Sequence, residues 1–375
     1  MTRRFVALDG LRGWAAITVS MYHGILQLSP VAHDSMMRPL QSEDGFYAVL
    51  SKLSLMLFNG NAAVIIFFVL SGKVLFDSLQ RTENKPTVTT LAFSVKRLIR
   101  LYPPLWAALA IYAGVFIAGT HLMPSVWSVY FTFKQLLINA SLTQITMYGA
   151  SWTLTAELLA IPVLLGTHFL HRAFGSGGVF LAVTLLLALP GTALLAPVPY
   201  MSEHAFLFAL GGLVSTDMGA KLGQGLTRVP AIFILALFLF WVMFFPYQHV
   251  TVVICQGFLV FLLICKISYS TADDDKLVAF LSNRLSQYFG EISFSFYLLN
   301  PLSLEIVERT LYYFLPTYKE HYIEFGLLVG LLATLITLVP AAWLYQFVEV
   351  PTINIGRNIT GRMQGRQQAL ERFVS

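Results

Sequence analysis

The stretch that decides the fold is Asp9-Gly10-Leu11-Arg12-Gly13-Trp14-Ala15-Ala16-Ile17-Thr18-Val19-Ser20-Met21-Tyr22-His23. It is a mostly apolar run with Arg12 near its start and His23 at its end, eleven residues apart. At about 100° and ~1.5 Å per residue, eleven steps make three turns plus roughly 20°, with a rise of ~16 Å. The spacing predicts one helix that presents both groups from one face, one near its start and one deep inside. A hydrocarbon core is only ~30 Å thick, and ionisable residues within it are costly unless they face a pocket or pathway. That face is the first candidate functional surface.

The rest of the chain shares this apolar character. Of 375 residues, 57% are hydrophobic and only 11% charged, and 30 are Phe. Soluble domains carry roughly 25% charged residues, so this composition reads as a polytopic membrane protein. Apolar segments recur at 10–28, 61–79, 98–118, 151–170, 177–196, 203–218, 229–246, 249–267, 286–307 and 322–347. Most are close to the ~20 residues a crossing helix needs, so the expectation is an all-α bundle of about ten transmembrane helices. Segment 203–218 is short, and 46–58 reads as an interfacial or re-entrant piece before the second span. Met1-Thr2-Arg3-Arg4 resembles the start of a signal peptide, but no small-residue cleavage site follows Leu28, which predicts a retained first span.

Charge placement sets the expected orientation. With the N-terminus inside, the outer side carries only Arg38, Lys52, Lys134, Arg309 and Lys319, leaving nineteen of the 24 Lys and Arg inside. This bias predicts that both termini are cytoplasmic. The net charge of +5 is therefore a topology signal, and nucleic acid is not expected as a partner. The polar segment 351–375 reads as a short basic cytoplasmic tail whose arginines suit an anionic leaflet. Cys255 and Cys265 share one apolar segment without metal-ligand spacing and read as small hydrophobes rather than a disulfide. No phosphate-binding Gly-rich loop, zinc spacing or nucleophile elbow is present, and Asp273, Asp274 and Asp275 alone are a poor metal site. No metal or permanently bound cofactor is expected.

Three clusters are candidates for chemistry. In the first, a neutral His23 imidazole suits a general base toward a hydroxyl. The alternative is that Arg12 snorkels to the interface while His23 bonds a neighbouring helix. The second is Lys96-Arg97-Leu98-Ile99-Arg100-Leu101-Tyr102-Pro103-Pro104. Arg97 and Arg100 share a helical face, and with Tyr102 beside them they suit phosphate held by charge-assisted forks. Plain positive-inside charge is the alternative. The third is Ser151-Trp152-Thr153-Leu154-Thr155-Ala156-Glu157, which puts Glu157 roughly 9 Å into its span, a depth comparable to that of His23. A Glu157–His23 pair would orient the imidazole and stabilise its charged form; pairing with Lys73 or Arg12 is the structural alternative.

Taken together, the motifs resemble the acyltransferase-3 family of integral membrane acyltransferases. The matching pieces are Phe5 and Leu8 to Gly13 with His23; Phe67 to Gly72; Phe93, Arg97, Arg100, Tyr102, Pro103 and Trp106; and Ser151 to Leu154 with Glu157. Ile292 to Leu299, and Tyr345, Glu349 and Pro351, complete an ordered set over nearly the whole chain. The resemblance implies a membrane acyltransferase domain over 1–350, about ten spans in the bacterial inner (plasma) membrane, and important roles for Arg12, His23, Arg97 and Arg100. It implies transfer of an acyl group, commonly acetyl, from cytoplasmic acyl-CoA as cosubstrate to a hydroxyl of a surface or exported glycan or lipid-linked sugar. Two positions depart from the family pattern. Asn300 stands where a His often follows the Tyr-Leu-Leu run, and Lys73 stands where an apolar residue is usual, adding a cation toward the donor. No esterase-like domain is expected after the membrane part.

Combined, these readings expect acyl-CoA phosphates near Arg97, Arg100, Lys73 and Arg12, and the thioester carried along the Arg12–His23 face. His23, oriented by Glu157 or another acid, would deprotonate an acceptor arriving from outside. Acceptor specificity is expected in loops 29–60 and 119–150. A transporter or flippase would also use polar groups facing a common interior, but no internal repeat is visible to support one.

Overall fold

A computed structural model describes residues 6–28, 33–34, 37–81, 85–129, 131–143, 149, 151–190, 201–241, 250–315 and 321–374, with side chains up to residue 365. Phe5, Arg3, Arg4 and Lys319 lie outside the described residues, as do parts of loops 29–60 and 119–150 and the ends of segments 177–196 and 229–246. Among the described residues there is no strand.

The helices follow in the order α1 (Val6–Leu26), α2 (Phe46–Leu57), α3 (Gly60–Gln80), α4 (Pro86–Leu122) and α5 (Phe133–Ala140). Then come α6 (Ser151–Phe174), α7 (Ser176–Leu187), α8 (Met201–Val214), α9 (Asp217–Gly225) and α10 (Ala231–Phe240). The last are α11 (Val250–Ser268), α12 (Lys276–Leu281), α13 (Arg284–Phe314), α14 (Tyr322–Leu344), a π-helical turn (Tyr345–Glu349) and α15 (Val350–Val374). Local chemistry starts several of them. Asn59 caps α3 by accepting from the Ala62 amide at 2.9 Å, and Asn283 caps α13 by accepting from the Ser286 amide at 2.8 Å.

Among the described residues, five stretches are long and apolar enough to cross a bilayer: Phe46–Gln80, Pro86–Leu122, Ser151–Phe174, Val250–Ser268 and Tyr322–Gly365. The pair α8–α9, bent by 79°, makes a sixth if it counts as one broken span. Length and composition thus give five or six spans against the ten expected. The shortfall has physical causes. Asp9, Arg12 and His23 interrupt α1, while Glu291, Glu305, Glu308 and Arg309 interrupt α13. Helices α7 and α10 are apolar with 12 and 10 residues, and the segments that hold them run on beyond the described residues.

Helix α1 is central, packing chiefly on α13 and α14 and then on α3. A Cβ on Gly13 would lie 2.5 Å from the Gly290 amide nitrogen, and one on Gly290 would lie 2.2 Å from the Asp9 carbonyl oxygen. Backbone therefore meets backbone, which only glycine allows, and this contact sets how α1 is turned. Farther along, Ser20 accepts hydrogen bonds from Asn300 Nδ2 at 2.7 Å and Thr334 Oγ1 at 2.9 Å, joining α1, α13 and α14 through groups that would be costly if left unpaired. Asn300, at the position that departs from the family pattern, is thus a structural link.

Helix α8 packs on α3, and its Ala205, Phe206, Leu207 and Phe208 are 0% exposed, as expected for a helix apolar on all sides. Helix α4 has 37 residues, a length of ~55 Å, so a ~30 Å hydrocarbon core covers only part of it. Its basic first half is met by α15 near Lys96 and Ile99. The polar segment after Pro351 is thus a helix continuous with α14 through the π turn.

Candidate functional site

Three cavities follow one another along α1. The first, about 190 Å³, is lined by Asp9, Arg12, Ser71, Arg97, Arg100 and Glu157 together with apolar residues. A narrow neck of about 30 Å³ follows, bounded by Arg12, Phe67, Phe68, Thr153, Glu157 and Tyr297 among others. The third, about 320 Å³, holds Tyr22, His23, Asn61, Trp152, Glu203 and His204, again with Tyr297. Arg12, Phe67, Glu157 and Phe294 are shared by the first cavity and the neck, and Tyr297 by the neck and the third cavity. The Arg12–His23 spacing read from sequence therefore spans this line of cavities.

In the Arg12 cavity, Arg97 and Arg100 lie three residues apart on α4 and line the same wall, as their spacing predicts. Arg97 is 5% exposed, and its Nη2 donates to Glu157 Oε2 on α6 at 2.6 Å. Its Nε has no hydrogen-bond partner among the described residues. Arg100 Nη2 lies 3.8 Å from Glu349 Oε1, and Glu349, 2% exposed, accepts from Ser295 Oγ at 2.8 Å. Glu349 ends the π turn, a rare distortion that frequently marks functional sites. Arg12 lies within electrostatic reach of Arg100, Glu349, Glu157 and Asp9. The cavity thus gathers three guanidinium groups and two carboxylates, Asp9 and Glu157, with Glu349 beside Arg100, in a setting that strengthens each charge interaction.

The His23 cavity is built differently. Tyr22 sits edge-on to His23 at 5.1 Å between ring centroids. On the facing side Phe68, Trp152 and His204 form a three-ring cluster at 5.6–5.9 Å. At the junction, Thr153 Oγ1 donates to the Tyr297 hydroxyl at 3.1 Å. Among the described residues, neither the His23 ring nor Glu203 has a hydrogen-bond or ion-pair partner.

Several sequence expectations need correction. Glu157 pairs with Arg97, not with His23, because α4 delivers a guanidinium to its carboxylate at the neck while His23 lies beyond it. Lys73 does not line these cavities; it pairs with Asp77, four residues on, at 2.9 Å. Tyr102 points elsewhere too, its hydroxyl donating to the Ser141 carbonyl at 3.3 Å. Sequence reading missed Glu203, His204 and Asn61. Glu203 opens segment 203–218 rather than lying inside it, so the depth that marked Glu157 does not mark Glu203. Glu349 and Tyr297 stood within recognised motifs but received no role. Among the described residues, no three His, Cys, Asp or Glu side chains gather to hold a metal ion.

The arrangement offers cations for an anionic group at one end, an imidazole at the other, and a small cavity between them. A family model described as an acyltransferase domain matches residues 5–346 of the chain. No curated protein and no solved structure matches it.

Proposed function

Because the chain belongs to the acyltransferase-3 family and is a membrane acyltransferase, we propose that it moves an acyl group, acetyl foremost, from acyl-CoA to a hydroxyl of an exported glycan or lipid-linked sugar. The proposal sets both termini on the cytoplasmic side of the bacterial inner membrane, following the excess of Lys and Arg there. The observation that carries it is the row of three neighbouring cavities from Arg12 to His23, which share lining residues. Donor phosphates sit at Arg12, Arg97 and Arg100, which line one cavity, where forked, charge-assisted bonds suit phosphate oxygens. The thin, unbranched arm of the donor passes the neck and carries its thioester toward His23. There the imidazole takes a proton from the acceptor hydroxyl as its oxygen attacks the thioester carbonyl. Glu157 holds Arg97 in place at the neck.

The test uses purified full-length protein in lipid nanodiscs, acetyl-labelled acetyl-CoA and a panel of saccharide acceptors. Wild type is expected to label an acceptor, and folded His23→Ala to label none. Labelling by His23→Ala at the wild-type rate would remove His23 as the base. No label from wild type on any saccharide would count against this donor and acceptor class.

A further inference from the structure

His23 needs a carboxylate partner if it is to carry a proton inside the bilayer, and Glu157 is committed to Arg97. We propose that Glu203 is that partner: it stabilises the imidazolium formed when His23 takes the acceptor proton and acts as a positioning residue for the base. This deepens the acyl-transfer reading and rests on it for the reaction, though not for the pairing of the two groups.

Glu203 and His23 line one cavity of about 320 Å³, and among the described residues Glu203 is the one carboxylate lining it. The two come from opposite parts of the sequence, on α8 and α1, so their convergence is made by the fold. The neighbour of Glu203, His204, packs against Phe68, at 5.6 Å, and Trp152, at 5.8 Å, which places the first turn of α8 beside the cavity. Glu203 lies in this first turn of a 14-residue helix, where exposed amide dipoles favour a negative charge. It is half-buried at the head of a helix packed on all sides from His204 onward, a setting where an ionisable carboxylate is costly unless it serves a pathway or partner.

The other titratable groups facing the cavity are Tyr22 from α1, His204 from α8 and Tyr297 from α13; α3, α6 and α11 contribute Gly60, Asn61 and Val64, Trp152, and Val253. Among the described residues, no Lys or Arg lines it. A carboxylate there therefore acts on His23 without a competing cation on the cavity wall.

The step balances without an oxidant or reductant. The acceptor O–H proton moves to a His23 ring nitrogen while its oxygen bonds to the thioester carbon. The C–S bond then breaks, and the departing thiolate takes the proton back from His23, leaving an ester and a free thiol. Glu203 opposes the positive charge that His23 carries between those two transfers.

The experiment reads His23 directly. Diethyl pyrocarbonate modifies only neutral imidazole, so its reaction at His23, followed by peptide mass spectrometry across pH, gives a titration midpoint in the intact protein. In Glu203→Gln the midpoint is expected to fall by about one pH unit, and the acid limb of the transfer rate to move the same way, with kcat at least tenfold lower. Glu203→Asp, which keeps the charge, should retain the wild-type midpoint. Should Glu203→Gln fail to insert, Glu203→Ser gives the same reading. An unmoved midpoint in a folded variant overturns the pairing whatever the activity. A shifted midpoint in a protein that transfers no acyl group upholds the pairing and overturns the acyl-transfer reading.

Discussion

Arg97 Nη2 and Glu157 Oε2 meet at 2.6 Å at the boundary between the Arg12 cavity and the neck, joining α4 to α6. Their side chains are 6% and 19% exposed, so neither charge is well hydrated. Removing one partner of such a buried pair costs roughly 3–5 kcal/mol, because the other is left uncompensated. Arg97→Ala and Glu157→Ala are each expected to lose about that much. The double variant should lose less than the sum by at least about 1 kcal/mol. Reversible unfolding in mixed detergent micelles measures all three, and strict additivity would show that the pair does not couple.

The contact between Gly13 and Gly290 makes a second prediction. In Gly13→Ala the new Cβ would meet the Gly290 nitrogen and the Phe289 carbonyl carbon, both at 2.5 Å. Backbone atoms cannot turn aside as a side chain can, so α1 must shift, carrying Arg12 with it. Overpacking of this kind costs about 1–3 kcal/mol. Gly114→Ala, with nothing within 4 Å of its new Cβ, should be neutral or slightly stabilising in the same unfolding assay.

Which features could be read in the sequence follows from the range of the interactions that set them. Helix periodicity is local, so the shared face of Arg12 and His23 and the shared wall of Arg97 and Arg100 were both legible. Partner choice is not local. Glu157 and Arg97 are 60 residues apart, and depth alone could not decide between His23 and a guanidinium arriving on α4. Glu203 was hidden in the same way, because only the packing of α8 against α3 and α6 brings it to the His23 cavity. The count of ten spans is not confirmed: length and apolarity alone pick out five or six among the described residues, because Asp9, Arg12 and His23 interrupt α1 and Glu291, Glu305, Glu308 and Arg309 interrupt α13.

Arg100 and Lys73 should separate under substitution, although both looked like donor contacts in the sequence. Arg100 lines the Arg12 cavity, whereas Lys73 is paired with Asp77 away from it. Loss of one phosphate contact of Arg type costs about 1.5–3 kcal/mol, so Arg100→Ala should raise the donor KM at least tenfold. Lys73→Met should leave that KM within about twofold while lowering stability, since Asp77 loses its cation. Donor titrations in the labelled-acetyl assay distinguish the two, and equal KM increases would return Lys73 to the donor site.

A pH effect is expected in the loop before α2. Hydrogen bonding from Arg38, helped by the Gln41 amide, holds the Asp44 carboxyl down at about 2. An unfolded Asp titrates near ~3.9, so the folded loop binds its proton less readily than the open one. The stabilisation is therefore present above ~4 and is lost as pH falls through about 2. Pepsin, active throughout this window, should cut between Arg38 and Leu50 slowly at pH 4 and readily below pH 2 if that clasp opens. Asp44→Asn should be cut readily at both values.

The neck makes the sharpest test of the path between the two larger cavities. It holds only about 30 Å³, and Thr153, 9% exposed, forms part of its wall while donating to Tyr297. A Thr153→Phe ring has no room elsewhere at this packing density and should fill the passage. Transfer is expected to fall at least 100-fold, because a thioester displaced by even ~1 Å from its attacker already loses that much. Donor binding should stay within about twofold, since the Arg12 cavity does not include Thr153. Thr153→Val keeps the shape and removes only the hydroxyl, so its loss should stay near the ~1 kcal/mol of one hydrogen bond, less than about tenfold in rate. Calorimetric donor binding beside the transfer assay reads both quantities. If Thr153→Phe transfers at the wild-type rate, the acyl group reaches its acceptor by a route that bypasses the neck, and His23 is not where it changes hands.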